Sequence, residues 1–350
     1  MQSTRASARL SSLSVALALL LTLGLAPAGA QVASPPIPND PRFPEQWGML
    51  KIEAPAAWQV TTGVPSVIVA VLDTGVDFGH PDLQGRLLEG RNFLDESRPP
   101  HDDSGHGTHI AGTIAANSNN NIGIAGVASN VSILPAKVLD QSGFGLERNV
   151  AAGVRWAVDN GASVINMSFV GNASGATLEE AMCYAAERGV VVVAAAGNES
   201  RTDPTYPAAL EPVLAVAATN SGDGRAPFSN HGDWIDIAAP GVRILSTYWN
   251  GTSTYKVTRG TSLAAAHVSG TIALMRSVHP GLTIGEVEAI LKSTADPTVD
   301  AGLGAGRLNT ARAVTVAREL ARTPAQPATP YESGGSTEIG ALKSKKVAFM

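Results

Sequence analysis

The sequence is poor in cysteine, since only one of its 350 residues, Cys183, is of this type. No disulfide can therefore form within the chain, and other interactions must stabilise the fold. Cys183 lies in LEEAMCYAAERG, whose apolar spacing indicates a helix, and no histidine is near it in the sequence. Without a neighbouring base a catalytic thiol is disfavoured, so we expect Cys183 to be a buried core residue.

An excess of positive charge is also absent. The chain has 25 Lys and Arg against 30 Asp and Glu, a formal net charge of -5, spread along its length. No basic face is available to hold a phosphate backbone, so we expect no nucleic-acid partner. Beyond residues 1–30, no apolar run is long enough to span a bilayer.

Residues 1–30 have the pattern of an export signal. Arg5 and Arg9 form a weakly basic start, residues 13–25 are almost wholly apolar, and Ala28-Gly29-Ala30 offers small residues for cleavage. The alternative, a membrane anchor, is disfavoured because the apolar run is shorter than the roughly 20 residues of a spanning helix. We expect removal of residues 1–30, no stable membrane insertion, and a secreted protein, extracellular or periplasmic.

The rest of the chain alternates apolar runs of strand length with segments of helical period. Continuous apolar strands are typical of parallel sheets buried on both faces, so we predict an α/β fold with a mostly parallel sheet flanked by helices. Two helices are expected to end at Gly161 and Gly189, where glycine suits a left-handed cap. We assign residues 31–47 to an extended N-terminal segment, 48–322 to the domain, and 323–350, without apolar periodicity, to a flexible tail. The predicted strands are VIVAVL, VSILPAKVL, ASVINMSF, VVVVAAAG and VLAVAAT; the predicted helices are HIAGTIAA, LERNVAAGVRWAVDN, LEEAMCYAAERG and residues 284–293 and 309–322.

Three short segments place a reactive side chain where a strand or helix ends: VIVAVLDTGVD with Asp73, SGHGTHIAGT with His106, and RGTSLAAAHVSG with Ser262. Taken singly, each has a simpler explanation. The Asp suits a turn and the Ser suits a helix cap. A zinc site through His106 and His109 is disfavoured, because no glutamate lies between them and no third ligand follows at a recognisable spacing. We expect His109 to be a hydrogen-bonded structural histidine.

In the order Asp, His, Ser, the segments DTGVD, HGTHIAGT and GTSLAAAHV resemble the signatures of subtilisin-like serine peptidases, the subtilase superfamily. PNDPRF, QWGMLKIEAPAAW and GRLNTARAV are most similar to the thermitase branch. The resemblance implies a subtilisin-like three-layer fold and a serine endopeptidase, with Ser262 as nucleophile, His106 as general base and Asp73 as its orienting carboxylate. It also implies that Asn198 and the Ser262 backbone amide form the oxyanion hole of an acyl-enzyme mechanism.

Protein or peptide substrates would then bind as an added strand between Ser168-Phe169-Val170 and Gly143-Phe144-Gly145. Relatives usually have glycine at the position of Val170, and Thr205 falls at the base of the specificity pocket. We therefore hypothesise a preference for small or medium apolar side chains before the cut. Leu263 replaces a common methionine, which predicts tolerance of peroxide. The step Tyr206-Pro207 is a candidate cis peptide. The remaining implied substrate contacts are Ala195, Ala196 and Gly197.

Structural calcium is the cofactor that the resemblance implies. The ligands would be Asp40, Asp82, Asn120 and the carbonyls of Ile122 and Ile124, with Asn119 or Asn121 as alternatives to Asn120. A polar turn without metal is the other interpretation of this loop. A second, thermitase-like site is not expected, because Asn92 and Ser97 stand where acidic ligands would be needed.

Two other functions fit the same fold: a catalytically inactive secreted binding protein, and an esterase. Four catalytic residues disfavour the first, and strand-binding edges disfavour the second, because a simple ester needs no extended groove. We expect a monomer. Only a short segment separates Ala30 from the catalytic unit, so we expect folding that is unaided or assisted by a separate chaperone.

Overall fold

Seven parallel strands form the central sheet of the computed structural model, which describes residues 37–322. The predicted export signal and C-terminal tail lie outside the described residues. The order of the strands across the sheet is β2-β3-β1-β4-β5-β6-β7. The strands are β1 (Ile68–Asp73), β2 (Arg91–Asn92), β3 (Ser132–Lys137), β4 (Val164–Met167), β5 (Val191–Ala195), β6 (Val213–Thr219) and β7 (Ile237–Pro240). A separate antiparallel hairpin pairs β8 (Ile244–Trp249) with β9 (Ser253–Thr258).

Helices cover both faces of the sheet. Residues of β1 alternate between two apolar clusters, Val69 and Val71 in one and Ala70 and Leu72 in the other, as the two-residue period of a strand requires. The first cluster is completed by α3, α6, α7 and α8, and the second by α4 and α5. The helices are α1 (Trp47–Lys51), α2 (Ala54–Trp58), α3 (His106–Ala115), α4 (Glu147–Asp159), α5 (Ala176–Glu187), α6 (Thr261–Val278), α7 (Ile284–Thr294) and α8 (Thr310–Arg322).

The central helix α6 owes its position to its small residues. Ala264, Ala265 and Ala266 are fully buried, and a Cβ at Gly270 would lie 2.7 Å from the Val127 side chain. Because contacts this short leave no room for a larger residue, α6 can pack closely against the sheet and α3. Ser262, near the start of α6, is thereby held in the interior of the domain.

The structure confirms the α/β fold, the five predicted strands and the predicted helices. Gly161 and Gly189 follow their helices at φ of 79° and 70°, and Tyr206-Pro207 is cis, as expected. Two predictions were wrong. The first concerns the predicted extended segment 31–47, of which the structure describes residues 37–47: there a 3-10 helix covers Phe43–Glu45 and α1 begins at Trp47.

The second correction concerns Cys183, which is exposed and not part of the core. The buried residues of α5 are Leu178, Ala181, Met182 and Ala185. Their spacing of three and four residues defines a single apolar stripe, and Cys183 lies beside that stripe. The helix was correctly predicted, but the face that carries the cysteine was not. No helix within residues 37–322 is both long and apolar enough to cross a membrane.

Candidate active site

Asp73 and His106 meet at the carboxyl end of the sheet. Asp73 is the last residue of β1, and its fully buried carboxylate oxygen Oδ1 lies 2.8 Å from His106 Nδ1. His106 is the first residue of α3 and follows Gly105, whose φ of 93° is in the left-handed region that favours glycine. The structure therefore joins two of the predicted catalytic side chains by a direct hydrogen bond.

Burial and neighbouring charge shift the pKa of His106 in opposite directions. Desolvation lowers the pKa of the imidazole, but the charge and hydrogen bond of Asp73, together with the charge of Asp102, outweigh it and raise the pKa above 6.5. His109 has no such partner. Burial lowers the pKa of His109 to about 3, and its Nε2 donates to the Lys256 carbonyl over 3.0 Å. His109 is thus a neutral structural histidine, as predicted, and its ring gives no support to a zinc site.

The Ser262 hydroxyl donates to the Ser168 carbonyl over 2.9 Å. Within residues 37–322, no hydrogen bond joins Ser262 to His106, so the structure leaves the predicted third contact of the triad unmade. The Ser262 side chain has one rotatable bond, about which the hydroxyl can turn toward another acceptor. Catalytic hydrogen bonds are often unmade until substrate binds, so this conformation is compatible with a nucleophilic role.

A buried chain of polar side chains fixes the backbone around Ser262. Ser168 Oγ donates to the Ser262 carbonyl over 2.9 Å, and Asn166 Nδ2 donates to Ser168 Oγ over 2.8 Å. Ser269 Oγ then donates to Asn166 Oδ1 over 2.9 Å. Sequence reasoning missed Asn166 and Ser269. The available signal was an asparagine inside an otherwise apolar strand, which must find partners when it is buried.

The loop after β5 presents Asn198 beside the start of α6. Asn198 Oδ1 accepts from the Thr261 backbone amide at 2.9 Å and from Thr261 Oγ1 at 3.1 Å. Because its oxygen is held in this way, the side chain directs Nδ2 elsewhere. A Cβ built on Gly260 would lie 3.7 Å from Asn198 Nδ2 and 3.8 Å from the Ser262 amide nitrogen. The absent side chain of Gly260 thus leaves open space between two N–H groups, neither of which has a hydrogen-bond partner in the described part of the chain.

Asn230 also contacts the loop that carries Asn198. Its fully buried amide donates to the Ala196 carbonyl over 2.9 Å and accepts from the amides of Glu199 and Arg201 at 3.0 and 3.2 Å. Asn230 is far from Asn198 in sequence, and no motif marks it, so sequence reasoning missed it. The loop that carries Asn198 is therefore fixed at both ends, by Thr261 and by Asn230.

A groove of about 530 Å³ begins next to Ser168, and both predicted strand-binding edges line it, with Gly143, Phe144 and Gly145 on one side and Phe169 and Val170 on the other. In the described residues the backbones of Gly145, Phe169 and Val170 make no hydrogen bond, whereas the Phe144 amide and carbonyl bond Asp140. The groove thus offers unpaired edges to an added strand. The other predicted contacts are buried nearby: Ser168, Ala195, Ala196, Gly197 and Thr205, whose hydroxyl donates to the Ala196 carbonyl.

Two buried carboxylates, Asp40 and Asp82, meet the loop of residues 118–124 away from the groove. Asp40 accepts from the amides of Asn119 and Asn120 at 2.9 and 3.2 Å, and Asp82 accepts from the Ile124 amide at 2.9 Å. Desolvation raises the pKa of Asp82, although its hydrogen bonds and the charge of His80 oppose this. No ion pair to either carboxylate occurs in the part of the chain described.

Buried carboxylates without a paired cationic side chain suit a hard cation such as Ca²⁺, and so would backbone carbonyl oxygens such as those predicted at Ile122 and Ile124. Asn120 fits less well in this conformation, because its amide nitrogen donates to Asp82 over 2.8 Å. Within residues 37–322 there is no cluster of three or more His, Cys, Asp or Glu suited to a metal. Any calcium bound here would therefore depend on carbonyl oxygens as well as on the two carboxylates.

Known proteins resemble this chain in sequence and in fold. A sequence profile of the subtilase family matches residues 65–306. Thermitase of Thermoactinomyces vulgaris is 44% identical over 280 residues, which cover 79% of this chain and 99% of thermitase. Subtilisin Savinase of Lederbergia lenta is 42% identical over 264 residues, 75% of this chain and 96% of that protein.

A solved structure also has this fold. It is described as proteases from Pseudoalteromonas arctica PAMC 21717, and it superposes with a TM-score of 0.76 at 35% identity. The superposition covers 80% of this chain and 99% of the other. The profile match, the identity to whole relatives and the shared fold together lead to one conclusion. The chain belongs to the subtilase family and is a serine endopeptidase.

Proposed function

We propose that this endopeptidase is secreted and cleaves peptide bonds through an acyl-enzyme, with Asp73, His106 and Ser262 as its triad and Asn198 in its oxyanion hole. The observation that carries the proposal is the 2.8 Å hydrogen bond between buried Asp73 and His106, in a chain whose relatives are serine proteases. An orienting carboxylate fixes the ring tautomer that leaves Nε2 free to accept a proton.

In the first step, the Ser262 hydroxyl turns from the Ser168 carbonyl toward His106 Nε2. Its proton passes to Nε2 as Oγ bonds to the substrate carbonyl carbon, and the imidazolium is stabilised by Asp73. The negative charge that develops on the carbonyl oxygen is met by Asn198 Nδ2 and the Ser262 amide, the two N–H groups beside Gly260. His106 then gives its proton to the leaving amine as the C–N bond breaks.

Deacylation repeats these roles with water as the nucleophile. Water loses a proton to His106 while its oxygen bonds to the acyl carbon, and the same N–H groups stabilise the second oxyanion. The proton returns to Ser262 Oγ when the acyl bond breaks. Every proton that moves is thus carried by His106, and Asp73 remains ionised throughout.

Protein or peptide substrates would lie in the groove as an extended strand, held by the unpaired backbone of Gly145 and Val170. Val170 lines the groove and is 36% exposed, and the buried Thr205 donates its hydroxyl to the Ala196 carbonyl over 2.7 Å. Both side chains reduce the space for the residue before the cut. A peptide library should therefore be cleaved after small or medium apolar residues, and a profile dominated by large aromatic residues would overturn this specificity.

A bound Ca²⁺ would neutralise two buried carboxylates and so stabilise the fold, with no part in the reaction. Asp40 and Asp82 would hold it with the carbonyls of Ile122 and Ile124, and Asn120 Oδ1 would join them once its amide has turned away from Asp82. These contacts would tie the start of the domain to residues 118–124. We also propose that Leu263, 2% exposed beside the nucleophile, gives resistance to mild peroxide, because leucine has no sulfur to oxidise.

The test is digestion of casein by the secreted protein and by its Ser262→Ala variant, with a simple ester as a second substrate. We expect casein cleavage by the parent, at least a thousandfold less by the variant, and an N-terminus near Gln31. Equal cleavage by the two proteins would refute the mechanism. Hydrolysis of the ester without casein cleavage would favour the esterase, and no reaction with either would favour a binding protein.

A further inference from the structure

Asp102 is a fully buried carboxylate four residues before His106, and neither the sequence motifs nor the triad include it. It accepts five hydrogen bonds. Oδ1 accepts from Thr74 Oγ1 at 2.8 Å and from the amides of Ser104 and Gly105 at 3.0 and 2.8 Å. Oδ2 accepts from the Thr108 amide at 2.8 Å and from Thr108 Oγ1 at 2.5 Å. A buried carboxylate with this number of donors is held in one orientation.

The five donors surround the two catalytic side chains along the chain. Thr74 directly follows Asp73, the last residue of β1, whereas Ser104 and Gly105 precede His106 and Thr108 lies in the first turn of α3, which begins at His106. Thr74 Oγ1 also accepts from the Gly107 amide at 3.0 Å, so the two elements are joined on both sides of His106. The carboxylate therefore couples the position of the helix start to the position of the strand end.

Asp102 also acts on His106 through its charge. The groups that raise the pKa of His106 are Asp73, on β1, and Asp102, on the loop before α3. His109, one turn along α3, is neutral because its pKa is lowered to about 3. The other charged groups nearby are engaged: Lys137 pairs with Asp103 at 2.7 Å, and Lys256 lies over the Tyr248 ring.

We propose that Asp102 is a positioning residue for catalysis, which fastens the start of α3 to the end of β1, sets His106 against Asp73, and favours the imidazolium by its negative charge. The proposal rests on the triad put forward above. Asp102 does not touch substrate or the reacting atoms, so its effect is exerted through His106. Loss of the carboxylate should lower turnover without weakening substrate binding, and it should change the titration of His106.

The test is the Asp102→Asn variant, assayed for kcat and KM on a chromogenic peptide between pH 5 and 10. In this variant the side-chain oxygen can still accept from Thr74, Ser104 and Gly105. The side-chain NH2 group replaces Oδ2 and faces the Thr108 amide, and because both are donors this hydrogen bond is lost. We expect kcat to fall by about tenfold to a hundredfold with KM nearly unchanged, because small displacements of catalytic groups have effects of this size. We also expect the acid limb of kcat/KM to lie at lower pH in the variant than in the parent.

The matched control is Asp77→Asn, since Asp77 is also a buried carboxylate in the segment after β1. The Asp77 carboxylate accepts from the Gly79 amide at 2.9 Å and from Ser253 Oγ at 2.5 Å, and it is not among the groups that shift the pKa of His106. Urea unfolding of both variants gives their loss of stability. The control should lose stability and keep the parent's acid limb.

Two outcomes would overturn the proposal: parent-like kcat and acid limb in Asp102→Asn, or a lower kcat with an unmoved acid limb, as a merely structural residue would give. If Asp102→Asn does not fold, Thr74→Val removes the hydroxyl bridge and keeps the charge. That variant should lower kcat severalfold with an unmoved acid limb, and parent-like kcat would then refute the positioning role. Full activity of Ser262→Ala would instead show that the triad itself is wrong.

Discussion

His267 should make the protein labile in mild acid. It lies on α6 with 1% exposure, and its Nδ1 is 2.7 Å from the Leu263 carbonyl. Desolvation by burial lowers the pKa of His267 from 6.5 to about 4, with the bond to Leu263 acting in the opposite direction. Between pH 6.5 and about pH 4, His267 is protonated in the unfolded chain and neutral in the folded chain. The free energy of unfolding therefore falls as the pH falls through this range.

The size of the effect follows from the two pKa values. A group that titrates at 6.5 when unfolded and at about 4 when folded stabilises the fold by about 2 kcal/mol less at pH 5 than at pH 7.5. That is a large part of the 5–15 kcal/mol typical of a folded domain. His106 has the opposite sign, because its raised pKa gives stability that is present below pH 6.5 and lost as the pH rises through the raised value.

The assay compares His267→Asn with its parent, both carrying Ser262→Ala to prevent self-digestion. Asn retains a donor for the Leu263 carbonyl but does not titrate. Urea unfolding at pH 7.5 and pH 5, at constant calcium, gives the stability lost on acidification, and that loss should be about 2 kcal/mol smaller in the variant. An equal loss in both proteins would refute the assignment of acid lability to this buried ring.

Three further predictions concern stability and turnover. Arg307→Met removes the buried cation of a cluster in which Asp223 keeps Lys51 and Asp296 keeps Arg312, and it should cost about 2 kcal/mol of unfolding free energy. Lys292→Met at the more exposed pair with Asp236 should cost under about 1 kcal/mol; equal losses in thermal unfolding would contradict this. Thr261→Val removes one hydrogen bond to Asn198 Oδ1, so kcat should fall about two- to tenfold with unchanged KM, and a change in KM alone would argue against the oxyanion role. A chelator should lower the unfolding temperature of the parent but not that of Asp82→Ala, and equal shifts would place the ion elsewhere.

The sheet was predictable because its strands are continuous apolar runs, but shorter or more polar strands were not. β7 contributes four residues and ends in Pro240, so its sequence lacks the length that marked β5 and β6. β9 alternates poorly and is largely exposed, because the hairpin lies outside the central sheet. Such elements are defined by their tertiary partners more than by local preference.

Some residues of the candidate site were likewise predictable from the sequence, and others were not. Asp73, His106 and Ser262 lie in short motifs at element ends, so their types and order could be recognised along the chain. Asp102 reaches the end of β1 through Thr74, and Asn230 contacts residues 196–201, so the importance of both depends on contacts with residues distant in sequence. The orientation of the Ser262 hydroxyl toward Ser168 is a rotamer choice that no sequence pattern encodes.

The most direct measurement of the central claim is the mass of the protein after brief exposure to a fluorophosphonate at pH 8. An activated serine attacks phosphorus through Oγ, releases fluoride and retains the phosphonyl group. We predict a single adduct, on Ser262, that is absent from Ser262→Ala and forms far more slowly in His106→Ala. An unlabelled parent, or an adduct on another residue, would contradict the account.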